Sequence, residues 1–267
     1  MNPSGESLEL IDSHVHLDDD VFAPDWDVMM ARARAVGVRA FLSIATSLAG
    51  SRRVIALAEA HADVYASIGV HPHDATSATA ETLAELAALA KHPKVVAIGE
   101  TGLDYFRNFA PREAQEAAFR AQLRLAGELG LPVIIHSRDA GSEVLEILAA
   151  DGPQRVIMHC FSGSVEMAQQ CAERGYYIGL GGPITYRNAR RMLEVAAAVP
   201  PDRMLLETDA PYLPPEPHRG KRNESSYLPL IAAAVARARD VAAGTVAEIT
   251  TLNAIEVFGL RRIAARE

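Results

Sequence analysis

The chain has 267 residues, 49% of them hydrophobic, and a formal net charge of −8. That is enough to bury one large core or two small ones, and the acidic balance argues against a protein that coats nucleic acid non-specifically through a basic surface. An enzyme made locally positive by bound cations stays open, because a divalent ion is often the largest charge in its neighbourhood.

In chain order, "MNPSGES" comes first and lacks the basic-then-apolar layout of a signal peptide. Eight β-rich runs then follow: "LELID", "VRAFLSIA", "VYASIGV", "VVAIGE", "PVIIHS", "RVIMHC", "YYIGLGG" and "RMLLETD". Between them lie amphipathic helical stretches such as "DWDVMMARARAV" and "REAQEAAFRAQLRLAGELG", the second ending at Gly130, a good C-terminal cap. Strands alternating with helices imply parallel pairing, and eight such units in about 250 residues predict a (β/α)8 TIM barrel. A doubly wound open sheet is the rival. No linker, charge block or short repeat divides the chain, so one domain over residues 1–267 is expected. The most apolar late stretch, "LIAAAVARARDVAA", is broken by two arginines and falls short of the ~20 residues that span a bilayer. Two cysteines, Cys160 and Cys171, suit a reduced, cytoplasmic setting. Nothing in the sequence indicates a membrane or an obligate protein partner.

Each apolar run ends in reactive or turn-forming residues: "DSHVH", "IATS", "GVHPHD", "GETGLD", "HSRD", "HCFSG", "GLGGP" and "ETDAP". The starts of the runs carry nothing comparable. In a TIM barrel all strand C-termini open on one face, where catalytic residues gather; an open sheet needs them only at its switch point. A lone histidine at a strand end is commonly a hydrogen-bonded structural residue, and a lone carboxylate a turn or cap. Four histidines and two carboxylates at one mouth are costly to bury without a cation.

The spacing assigns them. His14 and His16 alternate with Val15, so both face inward and grip one ion, which Asp209 completes. His136 and His159 hold a second, and Glu100 bridges the pair, ions about 3.5–4 Å apart fitting such a bridge. A carbamylated lysine is the other known kind of bridge, but Lys91, Lys94 and Lys221 are all misplaced for it. Cys160 adjoins His159 and, on a strand, would point away from it, which favours a buried apolar thiol.

"DSHVHL", "GVHPHD", "GETGLDYF", "IIHSRDA", "HCFSGS", "LLETDAPYL" and "HRGKRNE" together resemble the signature segments of the TatD family of metal-dependent hydrolases, often described as deoxyribonucleases. The resemblance implies an amidohydrolase-like barrel and metal binding by His14, His16, Glu100, His136, His159 and Asp209. It also implies DNA as substrate, taken as single strands or ends, and exonucleolytic action. Where the family usually continues "HRGKRNE" with proline, this chain has Ser225 and Ser226, which is expected to loosen the loop. Asp209 and Glu100 are the expected catalytic residues: Asp209 takes the proton of a metal-activated water, and Glu100 is mainly an electrostatic bridge. His71 is a candidate substrate contact, with a structural hydrogen bond as its alternative. Arg219 and Arg222 are candidate phosphate clamps over the mouth. Glu207 is expected to orient a ligand, Gly181 and Gly182 to allow close approach, and Trp26 to pack. Two divalent ions are expected. Four imidazoles suit Zn, Mn, Co or Ni better than Mg, although the family is usually called magnesium-dependent. Two other readings remain: hydrolysis of a small-molecule amide, lactone or ester by the same metal pair, and a metal-stabilised protein without catalysis.

Overall fold

In a computed structural model, which describes residues 9–260, the eight expected runs form eight strands. They are β1 (Leu10–Val15), β2 (Val38–Ile44), β3 (Val64–Ile68), β4 (Val95–Asp104), β5 (Val133–Arg138), β6 (Val156–Met158), β7 (Tyr177–Leu180) and β8 (Met204–Leu206). Each pairs in parallel with the next, in sequence order. The ring closes where Val15 bridges Ala210, with His16 N–H donating to Ala210 O at 2.8 Å and Asp209 N–H to His14 O at 2.9 Å. This is a TIM barrel, not an open sheet. "MNPSGES" and Leu8 of the first expected strand lie outside the described residues.

The helices are α1 (Trp26–Ala35), α2 (Leu48–Ala60), α3 (Ala80–Leu89), α4 (Arg112–Leu129), α5 (Gly141–Asp151), α6 (Val165–Glu173), α7 (Arg190–Ala198), α8 (Leu228–Arg239) and α9 (Ala243–Phe258). Gly130 ends α4 at φ 64°, the left-handed cap that its sequence signals. None of the described helices is long and apolar enough by itself to cross a membrane.

Alternation along the strands sorts two cores. Ile135, Met158 and Leu206 face outward and pack with helix residues such as Phe119 and Val144. Ile134, Ile157 and Leu205 face inward, in a cluster that Val257 and Phe258 of α9 complete. α9 lies across the strand starts, where Thr251 donates to Glu9 O and Asn253 to Met204 O. The apolar plug thus occupies one end of the barrel and leaves the other to polar side chains. Register shifts interrupt β1 between Asp12 and Val15 and β4 between Ile98 and Thr101, next to the histidine pair and Glu100.

Candidate metal centre

β1 delivers His14 and His16 to the mouth, and the chain beyond β8 delivers Asp209 against them. Asp12 locks the two segments, its carboxylate accepting from Thr208 N at 2.9 Å and from Thr208 Oγ1 at 2.6 Å. Asp209 itself sits at φ 57°, a left-handed conformation costly for a non-glycine residue and held here by its N–H bond to His14 O. His14 Nε2 lies 3.5 Å from Glu100 Oε2 and 3.7 Å from Asp209 Oδ1. His16 Nε2 lies 3.9 and 3.4 Å from the same two atoms. These separations are too long for good hydrogen bonds. They match ligand atoms around an ion, since donors bound at 2.0–2.2 Å in a tetrahedron stand about 3.4 Å apart.

The tautomer of His16 agrees. His16 Nδ1 lies 3.0 Å from Ile44 O, a pure acceptor, so the proton sits on Nδ1 and the Nε2 lone pair faces the centre. At His159, Nδ1 stands 3.0 Å from Glu207 Oε1 but outside hydrogen-bond geometry, and Nε2 lies 3.7 Å from Asp209 Oδ1. Glu207 therefore stands where a ligand-orienting carboxylate was expected. His14 is buried with neither ring nitrogen hydrogen-bonded. An orphaned, buried imidazole beside two carboxylates is what an ion would satisfy, and the donor set fits a divalent metal.

Glu100 lies between the histidine groups, and its two oxygens diverge. Oε2 faces His14 and His16, while Oε1 is 2.8 Å from His136 Nδ1, 3.6 Å from His71 Nε2 and 3.8 Å from His159 Nε2. Burial works to raise the Glu100 pKa, but the neighbouring imidazoles, His71 foremost, and the hydrogen bond from His136 hold it well below the usual carboxylate range. Burial likewise opposes a charge on the imidazoles. It is outweighed at His136, where Asp104 and Glu100 push the pKa up to about 9, and at His159, where Glu207 and Asp209 push it to about 10. At His14 burial prevails, aided by His159, and the pKa falls.

The grouping within the site differs in part from the expectation. His136 does not share a donor cluster with His159. It groups with His71 and Glu100, while His159 groups with His14 and Glu100, the His14 and His159 rings stacking at 3.4 Å. Asp104 was not singled out by the sequence, yet its Oδ2 lies 3.1 Å from His136 Nε2 and 2.9 Å from His73 Nε2. The overlooked signal was strand length: β4 runs on to Asp104, so Glu100, Gly102 and Asp104 share a face. Gly102 is obligatory there, at φ 141° and with the space for a Cβ filled by His136 O at 2.0 Å. His71 does face the cavity. Its Nδ1 accepts from His73 N–H at 3.1 Å, which places the proton on Nε2 and makes that atom a donor.

Other expectations are corrected. Cys160 is not on a strand: β6 stops at Met158, and Cys160 turns at φ 43° with its N–H donating to Glu207 Oε1 at 2.6 Å. That turn keeps its thiol near His159 and only half-buried. Arg222 does not reach the mouth, because Asp25 takes its guanidinium in a bidentate pair at 2.6 and 2.8 Å. Arg219 lies over the Tyr186 ring at 4.2 Å. Neither lines the cavity; Arg53, Arg107 and Arg138 do. Nor do Ser225 and Ser226 loosen their loop. Ser225 is buried in the turn that enters α8, Ser226 bonds Glu224, and Arg32 grips Glu224 at 2.6 and 2.8 Å. Gly182 allows close approach as expected, to Leu213 O.

The cavity has a volume of about 840 Å³, and seven carboxylates against three arginines line it. No lysine is among the lining residues. Such a mouth repels a polyanion until cations neutralise it.

Comparisons with known proteins agree with the fold and the centre. A family model described as TatD related DNase matches residues 11–259. A protein of Bacillus subtilis named "Uncharacterized metal-dependent hydrolase YabD" is 42% identical over 251 residues, 93% of this chain and 98% of its own. One of Enterobacter lignolyticus, named "3'-5' ssDNA/RNA exonuclease TatD", is 41% identical over 258 residues, 94% of this chain and 99% of its own. The crystal structure of YjjV, a TatD homolog of Escherichia coli K12, superposes with a TM-score of 0.91 at 33% identity, covering 96% of this chain and all of that one.

Proposed function

This chain belongs to the family of TatD-related DNases and is a metal-dependent hydrolase, and from that premise we propose that it removes nucleotides from an end of single-stranded DNA. The observation that carries the reading is the position of Glu100, with one oxygen toward His14 and His16 and the other toward His71, His136 and His159 inside one cavity. His14, His16, Glu100, His136, His159 and Asp209 would hold two dications. The imidazole-rich set accepts Mn or Zn more readily than Mg. When bound, such ions lower the pKa of a water from 15.7 toward ~7 and neutralise phosphate oxygens.

The chain's own groups do the rest. Asp209, also a ligand, takes the proton of the attacking water. His71 donates from Nε2 to a nonbridging phosphate oxygen, while Asp104 fixes the rings of His73 and His136. Arg107 and Arg138, exposed at the rim, hold flanking phosphates in place of Arg219 and Arg222. The reading places the activity in the cytoplasm, in keeping with two free thiols. Purified protein supplied with Mn or Mg should shorten a single strand of DNA stepwise. An intact strand, together with cleavage of a lactone or cyclic amide, would assign the same centre to a small-molecule hydrolase instead.

A further inference from the structure

Among the described residues only three aromatic side chains are exposed: Phe106, Phe109 and Tyr212. All three sit at the barrel mouth, on the loops after β4 and β8. Strands four apart in an eight-stranded ring are diametrically opposed, so these loops face one another across the cavity. Phe106 is covered by the Arg138 guanidinium at 4.1 Å. Phe109 and Tyr212 line the cavity from opposite sides and are 68% and 54% exposed. Each meets a site histidine in a T-shaped contact, Phe109 with His73 at 4.8 Å and Tyr212 with His16 at 5.7 Å. Such a contact occupies at most one face of a ring. The Tyr212 hydroxyl donates to Asp19 Oδ2 at 3.3 Å, which steadies that ring.

Large apolar rings left in water at two opposed points of a cavity mark a ligand surface. The cavity between them is lined by carboxylates and arginines, so the ligand is polar between its flat parts. We infer that Phe109 and Tyr212 are two base-stacking walls, each receiving one of the two nucleobases that flank the scissile phosphate. The inference rests on the nuclease reading and deepens it. Bases in a duplex already stack on their neighbours and present no free face, so the walls select an unpaired strand.

The test uses a short single strand of DNA, intact or with an abasic residue at the terminal or penultimate position. For the unaltered enzyme, removing either base should lower kcat/KM about 5- to 150-fold, the range that base–aromatic stacking supplies. Phe109→Ala and Tyr212→Ala should each cause a loss of that size on the intact strand, and in each variant removal of one of the two bases should then have no further effect. Phe109→Trp and Tyr212→Phe keep a ring and should stay within a few-fold of the original. Both rings are exposed, so thermal melting should show the alanine variants folded. Alanine variants within twofold of the original on the intact strand overturn the inference, as does a loss of equal size on the intact strand and on both abasic strands. An unaltered enzyme that leaves the intact strand uncut with metal present fails at the nuclease reading itself, and is told apart because no activity exists to lose.

Discussion

Asp209 and Glu100 stand 3.4–3.9 Å from the imidazoles of His14 and His16, whereas Arg222 and Asp25, just outside the mouth, meet at 2.6 and 2.8 Å. Both regions gather acids and bases from distant parts of the chain. The outer cluster is closed: Arg222 pairs with Asp25, Arg32 with Glu224, and Arg32 also reaches Asp25 at 3.2 Å, so the charges satisfy one another. The inner cluster is open, with His14 unpartnered and donor atoms spaced for something between them. A charged group whose hydrogen bonds are complete holds structure. Groups held apart beyond hydrogen-bond reach and buried together call for a cation.

That contrast is broken most severely at Glu100. Glu100→Gln should bring hydrolysis to background and lower the metal bound per chain, measured by mass spectrometry of the native protein, with the circular-dichroism spectrum retained. Full metal content with full activity would remove Glu100 from the centre. Asp209→Asn comes next: the rate should fall about 10²–10⁴-fold, the usual contribution of a positioned proton acceptor. A protein that is folded and loses stability without ever having cleaved a substrate would instead be a metal-stabilised binder. Removing metal with a chelator should then abolish activity and lower the melting temperature. Restoring it at about one hundred times its Kd should return about 2.7 kcal/mol.

The smallest effect belongs to the outer cluster. Arg222→Ala should cost about 0.2–1 kcal/mol in denaturant unfolding, as expected of a partly exposed pair. KM for DNA should change less than about threefold, because Asp25 and not phosphate is its partner. A tenfold rise in KM would return Arg222 to the substrate and erase the distinction between the two regions.

The sequence by itself determined the eight strands and placed the six candidate ligands at their C-terminal ends, because these are local properties. An apolar run between turn signals is a strand wherever it lies, and a reactive residue at its C-terminal end belongs to the mouth of a barrel. The length of β4, which brings in Asp104, was legible in principle through the shared face of Glu100, Gly102 and Asp104. What only the tertiary structure decided were the partnerships. Which imidazole stands beside His14, which turn Cys160 makes, and which carboxylate captures Arg222 depend on contacts between remote segments, 197 residues apart for Arg222 and Asp25. A guanidinium goes to the nearest carboxylate that can meet it in a bidentate pair, and a bulge re-aims a strand end. Both depend on distances across the barrel that no local pattern encodes.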